Sequence, residues 1–237
     1  MLSDVSASSP SWLSNLRRRF IVFDGPDGCG KTTQLRRFAR FVEDKGKLTI
    51  CQLREPGGTE IGEEIRQILL RQDHCEDVDH VCEMLLFMAS RSQLVSQYIK
   101  PALESGQLVL CDRFISSTLA YQGTAGGLPT RDILAVAEVA LQNCWPDLFV
   151  ILDVDETIAA KRLASRSRHD RFVDIEQPTL FSDRMELKGR EYHKKVRHGY
   201  LDQADRDPQR YLVIDAAPDD QKVFDSVLAG LKGRFDR

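Results

Sequence analysis

The chain has 237 residues, of which 42% are hydrophobic, enough to bury one substantial core, and a single domain is the default reading. Its formal charge of −3 excludes a protein held on nucleic acid or on an anionic membrane by bulk charge, so phosphate chemistry must come from locally placed Lys and Arg. No apolar run approaches the roughly 20 residues that cross a bilayer, and the first residues lack the apolar stretch of a secretory signal.

Residues 1–18 are rich in Ser and lead into the Arg cluster 17–19. They read as a disordered extension ahead of a domain spanning 19–237, with a transit peptide as the compositional alternative. The run RFIVFD, 19–24, predicts a buried strand. Residues 30–46 predict a helix with Leu35, Phe38, Ala39 and Val42 on one face and Gly46 as its stop. A second strand is predicted over 47–53, then the loop REPGGTEIG, a helix to about Arg71, and a long helix from near His80 to Ser105. A third strand follows at 107–112, a helix from Thr130 to Cys144, and a fourth strand at 148–154. ETIAAKRLASR is helical, RHDRFVD an exposed charged loop, and 178–203 a further helix. A fifth strand at 210–215 and a last helix close the chain. Strands alternating with helices of this length mean βαβ units: an α/β fold with a five-stranded parallel sheet and helices on both faces.

The six cysteines are irregularly spaced without a CxxC, which predicts reduced thiols and a cytoplasmic setting. His74, Cys75, His80 and Cys82 lie close together, but at spacings unlike those of a four-ligand zinc site. They read as a loop leading into a helix.

Between the first strand and its helix lies GPDGCGKTT, which contains G-x-x-x-x-G-K-T. The segment Gly25, Pro26, Asp27, Gly28, Cys29, Gly30, Lys31, Thr32 and Thr33 is therefore the candidate cradle for the phosphates of ATP. Its glycines let the backbone turn its N–H groups inward, backed by a helix N-terminus. Lys31 adds charge for the β- and γ-phosphates, and the Thr32 hydroxyl is a candidate Mg²⁺ ligand. Such a cradle serves GTPases, ATPases and small-molecule kinases alike. The absence of any Asn-Lys pair argues against a GTPase, and an Arg-rich late loop argues for a small kinase with a lid over about 162–174.

Three segments address the acceptor. Arg54, in REPGG, follows the second strand and suits a phosphate; the alternative is a surface ion pair with Glu55 or Glu60. Phe87 and Arg91, four apart on one helix, put an aromatic plane beside a fork of donors, which suits a nucleobase; Phe87 on its own reads as core. After the third strand, Asp112 suits a partner for Mg²⁺-bound water and Arg113 an acceptor phosphate. Ser117, Thr118, Tyr121 and Gln122 offer polar groups to a base or sugar. In the late loop, Arg162, Arg166, Arg168 and Arg171 could neutralise transferring phosphoryl oxygens, or form a solvated surface.

FDGPDGCGKTT, REPGGTEIG, LLFMASR, CDRF with SSTLAYQG, PDLFVILDV and SRSRHDRF, in that order, make the chain similar to the thymidylate kinases from about Arg19 to the last helix. The resemblance implies a P-loop NTPase fold, ATP and Mg²⁺ as cofactors, dTMP as acceptor and a homodimer with the long helix at its interface. It carries Asp27 to a contact near the dTMP sugar or phosphate, Arg54 and Arg113 to the dTMP phosphate, and Phe87 and Arg91 to the face and edge of thymine. It carries Thr118 to a polar contact with the base and Tyr121 to the packing that disfavours a ribose 2′-hydroxyl, with Ser117 and Gln122 as neighbours. Lys31, Asp27 and Arg113 are the implied catalytic groups within the cleft. Gly28 follows Asp27 where some members carry an arginine, so the lid is expected to supply it, with Arg166 first, then Arg171 and Arg168. Arg162 is expected at the ATP side. Phe114 stands where Tyr or His is more usual. The rival readings are a kinase for dUMP or another monophosphate, and a nucleotide-binding module without turnover that acts through a partner.

Overall fold

The computed structural model describes residues 10–71, 78–169 and 189–236, with 166–169 described by backbone alone. β1 (Phe20–Asp24) and β3 (Leu108–Asp112) are buried at every position, the pattern of strands covered on both faces. β2 (Ile50–Arg54), β4 (Leu148–Asp153) and β5 (Tyr211–Asp215) complete a five-stranded sheet among the described residues, ordered β2-β3-β1-β4-β5. Every pairing is parallel.

The pleat sends alternate side chains to opposite layers. Ile21, Phe23, Leu108, Leu110 and Val150 join one core cluster with the inner faces of α1 (Lys31–Phe41) and the C-terminal helix Asp220–Phe235. Phe20, Val22, Val109, Cys111, Phe149 and Ile151 join a second cluster on the other face. There they meet side chains of α3 (His80–Leu94), α6 (Thr130–Leu141) and the helix Arg190–Arg206. Between these run α2 (Glu60–Leu70), α4 (Lys100–Glu104), α5 (Ile115–Thr118) and α7 (Glu156–His169).

Some boundaries shift for local reasons. β2 starts later than predicted because Lys47 ends the preceding π-helical turn, Val42–Gly46, in the left-handed region at φ 52°. The expected helix from His80 to Ser105 runs its length, but through a π-helical turn at Val95–Ile99 next to Pro101, which has no N–H to give the helical ladder. Gln142 and Asn143, both at positive φ, stop α6 short of Cys144. SSTLAYQG forms α5 and a π-helical turn, Leu119–Ala125. Most of RHDRFVD and the first part of the helix expected from 178 fall outside the described residues, as do His74 and Cys75. His80 and Cys82 open α3, capped by the Asp79 carboxylate.

The reading of 1–18 as a disordered extension does not hold for its second half. Ser11–Leu16 forms a 3₁₀ helix that buries Trp12, Leu13 and Leu16 in the core cluster over α1. Leu13 sits against Gly46, Asn15 donates to the Phe235 carbonyl at 2.8 Å, and Arg18 N–H reaches Gln107 O at 3.2 Å. The segment is too short for a helical period to show, and its three apolar residues gain their meaning from a groove made by distant parts of the chain.

Candidate active site

All five strands end at one edge, where Asp24, Arg54, Asp112 and Asp153 close β1, β2, β3 and β4. Open parallel sheets bind ligands there. The cradle leaves β1 and wraps the start of α1. Gly25 adopts φ 140°, and a Cβ on it would meet the Leu152 carbonyl at 2.5 Å. Gly28 adopts φ 79°, and a Cβ there would meet the Ala159 carbonyl on α7 at 2.6 Å. No side chain fits at 28, so this part of the cradle cannot carry an arginine.

Lys31 is buried, its ammonium 3.3 Å from the Pro26 carbonyl and 3.9 Å from Asp27. The Thr32 hydroxyl donates to Asp112, so strand β3 and the cradle present two hard oxygen ligands side by side. Cys29 packs its thiol inside the cradle, and burial pushes its pKa up, so it contributes through its backbone. Thr33 lies on the first turn of α1, half-buried.

Arg113 joins the cradle to the acceptor side. It sits in the left-handed region at φ 70°, a strained setting for a side chain of its size, held by the contacts around it. One guanidinium nitrogen meets Asp27 at 2.5 Å; the other donates to Ser117 at 2.9 Å and to Tyr200 at 3.2 Å. Asp24, fully buried, accepts from the Ser117 and Tyr200 hydroxyls at 2.7 Å each and lies 3.6 Å from Arg113. Burial alone would raise the Asp27 pKa, but Arg113, Lys31 and the Tyr121 hydroxyl, which donates at 2.7 Å, hold it below the usual carboxylate value. Burial works against the Arg113 cation too, yet its neighbours raise its pKa further. Asp24 and Tyr200 escaped the sequence reading. An aspartate ending a buried strand was the available signal for the first, and nothing local marks the second.

Beyond Arg113 opens a cleft lined by Phe87, Arg91, Phe114, Ser117, Thr118, Tyr121 and Gln122, floored by Glu55 and Pro56. Phe87 is buried on α3 and lines this cleft. Arg91 is 1% exposed and grips Glu55 at 2.7–2.8 Å, with Thr118 accepting a further bond at 3.2 Å. Glu55 was weighed only as a partner of Arg54; it is the anchor of Arg91. Burial raises its pKa to about 7 against the pull of Arg91. Gln122 donates to the buried carboxylate of Glu83 at 3.2 Å.

Arg54 is 42% exposed and meets Glu63 only at 4.0 Å. Arg66, which the sequence reading missed, is buried beside it and donates to the Pro56 carbonyl at 2.9 Å. Burial first, and then the charge of Arg54, bring the Arg66 pKa down to about 10. Cations that crowd one another in this way suit an anion between them. Arg162 spends its donors on the carbonyls of Ala216, Ala217 and Pro218 at 2.9–3.3 Å, fastening the loop after β5. Arg166 and Arg168 lie on α7, and Arg171 lies outside the described residues.

A parallel sheet with a phosphate cradle after β1, and a separate cleft joined to it by one buried arginine, is the architecture of a P-loop phosphotransferase with two substrate sites. The family model described as thymidylate kinase matches residues 23–227. A thymidylate kinase of Maridesulfovibrio salexigens is 38% identical over 216 residues, covering 91% of this chain and 96% of that protein. One of Pelotomaculum thermopropionicum is 41% identical over 221 residues, 93% and 96% of the two chains. The crystal structure of thymidylate kinase from Ehrlichia chaffeensis superposes with a TM-score of 0.70 at 31% identity, over 91% of this chain and 98% of that one. The chain belongs to the thymidylate kinase family.

Proposed function

We propose that the cleft is the dTMP site and the cradle the ATP site of one reaction, transfer of the γ-phosphate of ATP to dTMP to give dTDP and ADP. The protein is an ATP-dependent nucleoside monophosphate kinase. The observation that carries the residue assignment is Arg113, whose guanidinium bonds Asp27 in the cradle and lines the cleft that holds Phe87 and Arg91.

In this reading Phe87 stacks on thymine, Arg91 and Thr118 meet its edge, and Arg54 and Arg113 hold the acceptor phosphate. Tyr121 packs beneath the sugar and disfavours a ribose 2′-hydroxyl, its ring held in place as its hydroxyl donates to Asp27 and accepts from Arg113. An oxygen of the dTMP phosphate attacks the γ-phosphorus, a P–O bond forms, and the bond to the β-bridging oxygen breaks. Positioning and charge neutralisation carry such transfers, and no covalent intermediate is needed. Lys31 and the cradle N–H groups stabilise the ATP phosphates. Thr32 and Asp112 fit Mg²⁺, since hydroxyl and carboxylate oxygens with room for water are its usual donors. When bound, the ion offsets phosphate charge.

With position 28 closed to side chains, the arginine that neutralises the transferring group comes from the lid, from Arg166, Arg168 or Arg171. Arg162, its donors taken by the loop after β5, offers the flat face of its guanidinium to the ATP base. Two copies pair through α2, α3 and α6, where Ile61, Ile68, Val81, Leu85 and Leu134 are exposed on neighbouring helices. No helix among the described residues is long and apolar enough to cross a membrane. A cytoplasmic setting is proposed on the free thiols Cys29, Cys51, Cys82, Cys111 and Cys144.

The test is ADP release from ATP and Mg²⁺ with a panel of monophosphates. Rates with dTMP should exceed those with dCMP, dGMP and dAMP by orders of magnitude. A folded protein that releases no ADP with dTMP would refute the reading and favour a binding module without turnover.

A further inference from the structure

Glu83, Phe87 and Arg91 are spaced four apart on α3 and share one face. Thr118 and Gln122 are spaced likewise on the facing segment formed by α5 and the π-helical turn after it. The two segments are tied by two rungs, Arg91 to Thr118 and Gln122 to Glu83, each at 3.2 Å. Phe87 lies between the rungs on α3, and the cleft opens between them.

The chemistry of the second rung is directional. A carboxylate accepts and cannot donate, so only the amide nitrogen of Gln122 can face Glu83. Glu83 is 2% exposed and Gln122 is 2% exposed, so water does not compete for either group. The amide is planar, and fixing its nitrogen on Glu83 turns its oxygen to the other side, toward the cleft that Gln122 lines. The first rung offers the opposite polarity, because the Arg91 guanidinium can only donate.

We infer that Glu83 is a specificity-determining positioning residue, which locks Gln122 as an acceptor so that the cleft reads a donor–acceptor edge. The inference rests on the cleft being the base site of the proposed reaction. Thymine and uracil carry an N3–H donor beside the O4 acceptor, which complement the Gln122 oxygen and the Arg91 donors. Cytosine reverses both, with an amino donor at C4 and an acceptor N3. It would set two acceptors and two donors face to face. A site built on fixed hydrogen-bond polarity rejects the wrong edge far more strongly than an apolar pocket rejects a wrong shape.

The experiment measures kcat/KM for dTMP, dUMP and dCMP, with KM for ATP, in the wild type, Glu83→Gln, Gln122→Met and the double variant. A glutamine at 83 can donate or accept, so the amide of Gln122 is released. In Glu83→Gln the dTMP:dCMP ratio should narrow by about 10-fold or more. The dTMP:dUMP ratio and KM for ATP should stay within about 2-fold, since thymine and uracil share the edge. In the Gln122→Met background, adding Glu83→Gln should leave the dTMP:dCMP ratio unmoved. That outcome separates positioning from a general structural loss, and thermal melts of each variant show whether it is folded. A wild-type dTMP:dCMP ratio in folded Glu83→Gln overturns the inference. So does an equal loss on dTMP, dUMP and dCMP, or a further narrowing in the double variant. Absence of dTMP turnover in the wild type instead overturns the functional reading on which the inference stands.

Discussion

Leu16 is fully buried although it lies ahead of the first strand, so it separates stability from activity. It packs with Trp12 and Leu13 into the cluster over α1, next to the amino ends of the strands. Replacing a buried Leu by Ala costs about 2–5 kcal/mol, the transfer free energy plus the cavity left behind. For a chain of this size each kcal/mol lowers the melting temperature by about 2–4 °C, so Leu16→Ala should melt roughly 6–12 °C below the wild type for a mid-range loss of about 3 kcal/mol. Removing residues 1–17 strips three buried side chains at about 1.5–3 kcal/mol each, a loss of roughly 5–9 kcal/mol against a usual total of 5–15. That truncation should leave a marginal or unfolded protein. The assay is a pair of measurements: thermal melting by circular dichroism, and kcat with dTMP at 25 °C. Since the strap joins the amino edge of the sheet, through Arg18 and Gln107, and the cleft lies at the carboxyl edge, kcat of Leu16→Ala should match the wild type. A melting temperature within about 2 °C of the wild type would refute the packing argument. A folded variant with lost kcat would place the strap in the site.

Lys31→Ala should keep its fold and lose kcat by about 100-fold or more, because the ammonium serves the cradle and not the apolar core; near-normal kcat would sink the assignment. Among Arg166→Ala, Arg168→Ala and Arg171→Ala, at least one, with Arg166 first, should lose about 100-fold in kcat with little change in KM for dTMP. Wild-type kcat in all three would end the lid-arginine mechanism. Burial lifts Glu55 from 4.5 to about 7 in the fold, so its protonated form favours the native state. Its contribution is full below pH 4.5 and is lost as pH rises through about 7. The stability of the wild type relative to Glu55→Gln, from urea melts, should therefore fall between pH 5 and 8, by up to about 3 kcal/mol. A flat or rising difference would show that Arg91 holds Glu55 ionised throughout.

The alternative ion pair of Arg54 with Glu55 does not form: Glu55, one residue past β2, turns inward to Arg91 while Arg54 stays at the rim near Glu63. Arg91, expected to offer a fork of donors to a base, also gives donors to Glu55, Thr118 and the Met88 sulfur, partners the sequence does not show. Composition alone cannot show that the N-terminal segment buries three apolar side chains where the turn Val42–Gly46 meets the C-terminal helix.

The phosphate cradle, the βαβ order and the sheet edge that bears the site could be read from residues alone. Each depends on short-range rules: glycine spacing around a turn, apolar runs for strands buried on both faces, and the helical period. Arg113, just past the end of β3, and Phe87, four positions before Arg91 on one helix, stood out by the same short-range rules, while Tyr121 was one polar group among several after β3 and took its packing role only from the family resemblance; the fold brings all three to one cleft. The partners that fix them did not stand out. Asp24 and Tyr200 are 176 positions apart, Glu55 and Arg91 36, and Gln122 and Glu83 39. Such pairs are set by how helices cross above the sheet. A buried polar group takes whichever complementary group the packing brings within reach, and only the three-dimensional structure says which that is.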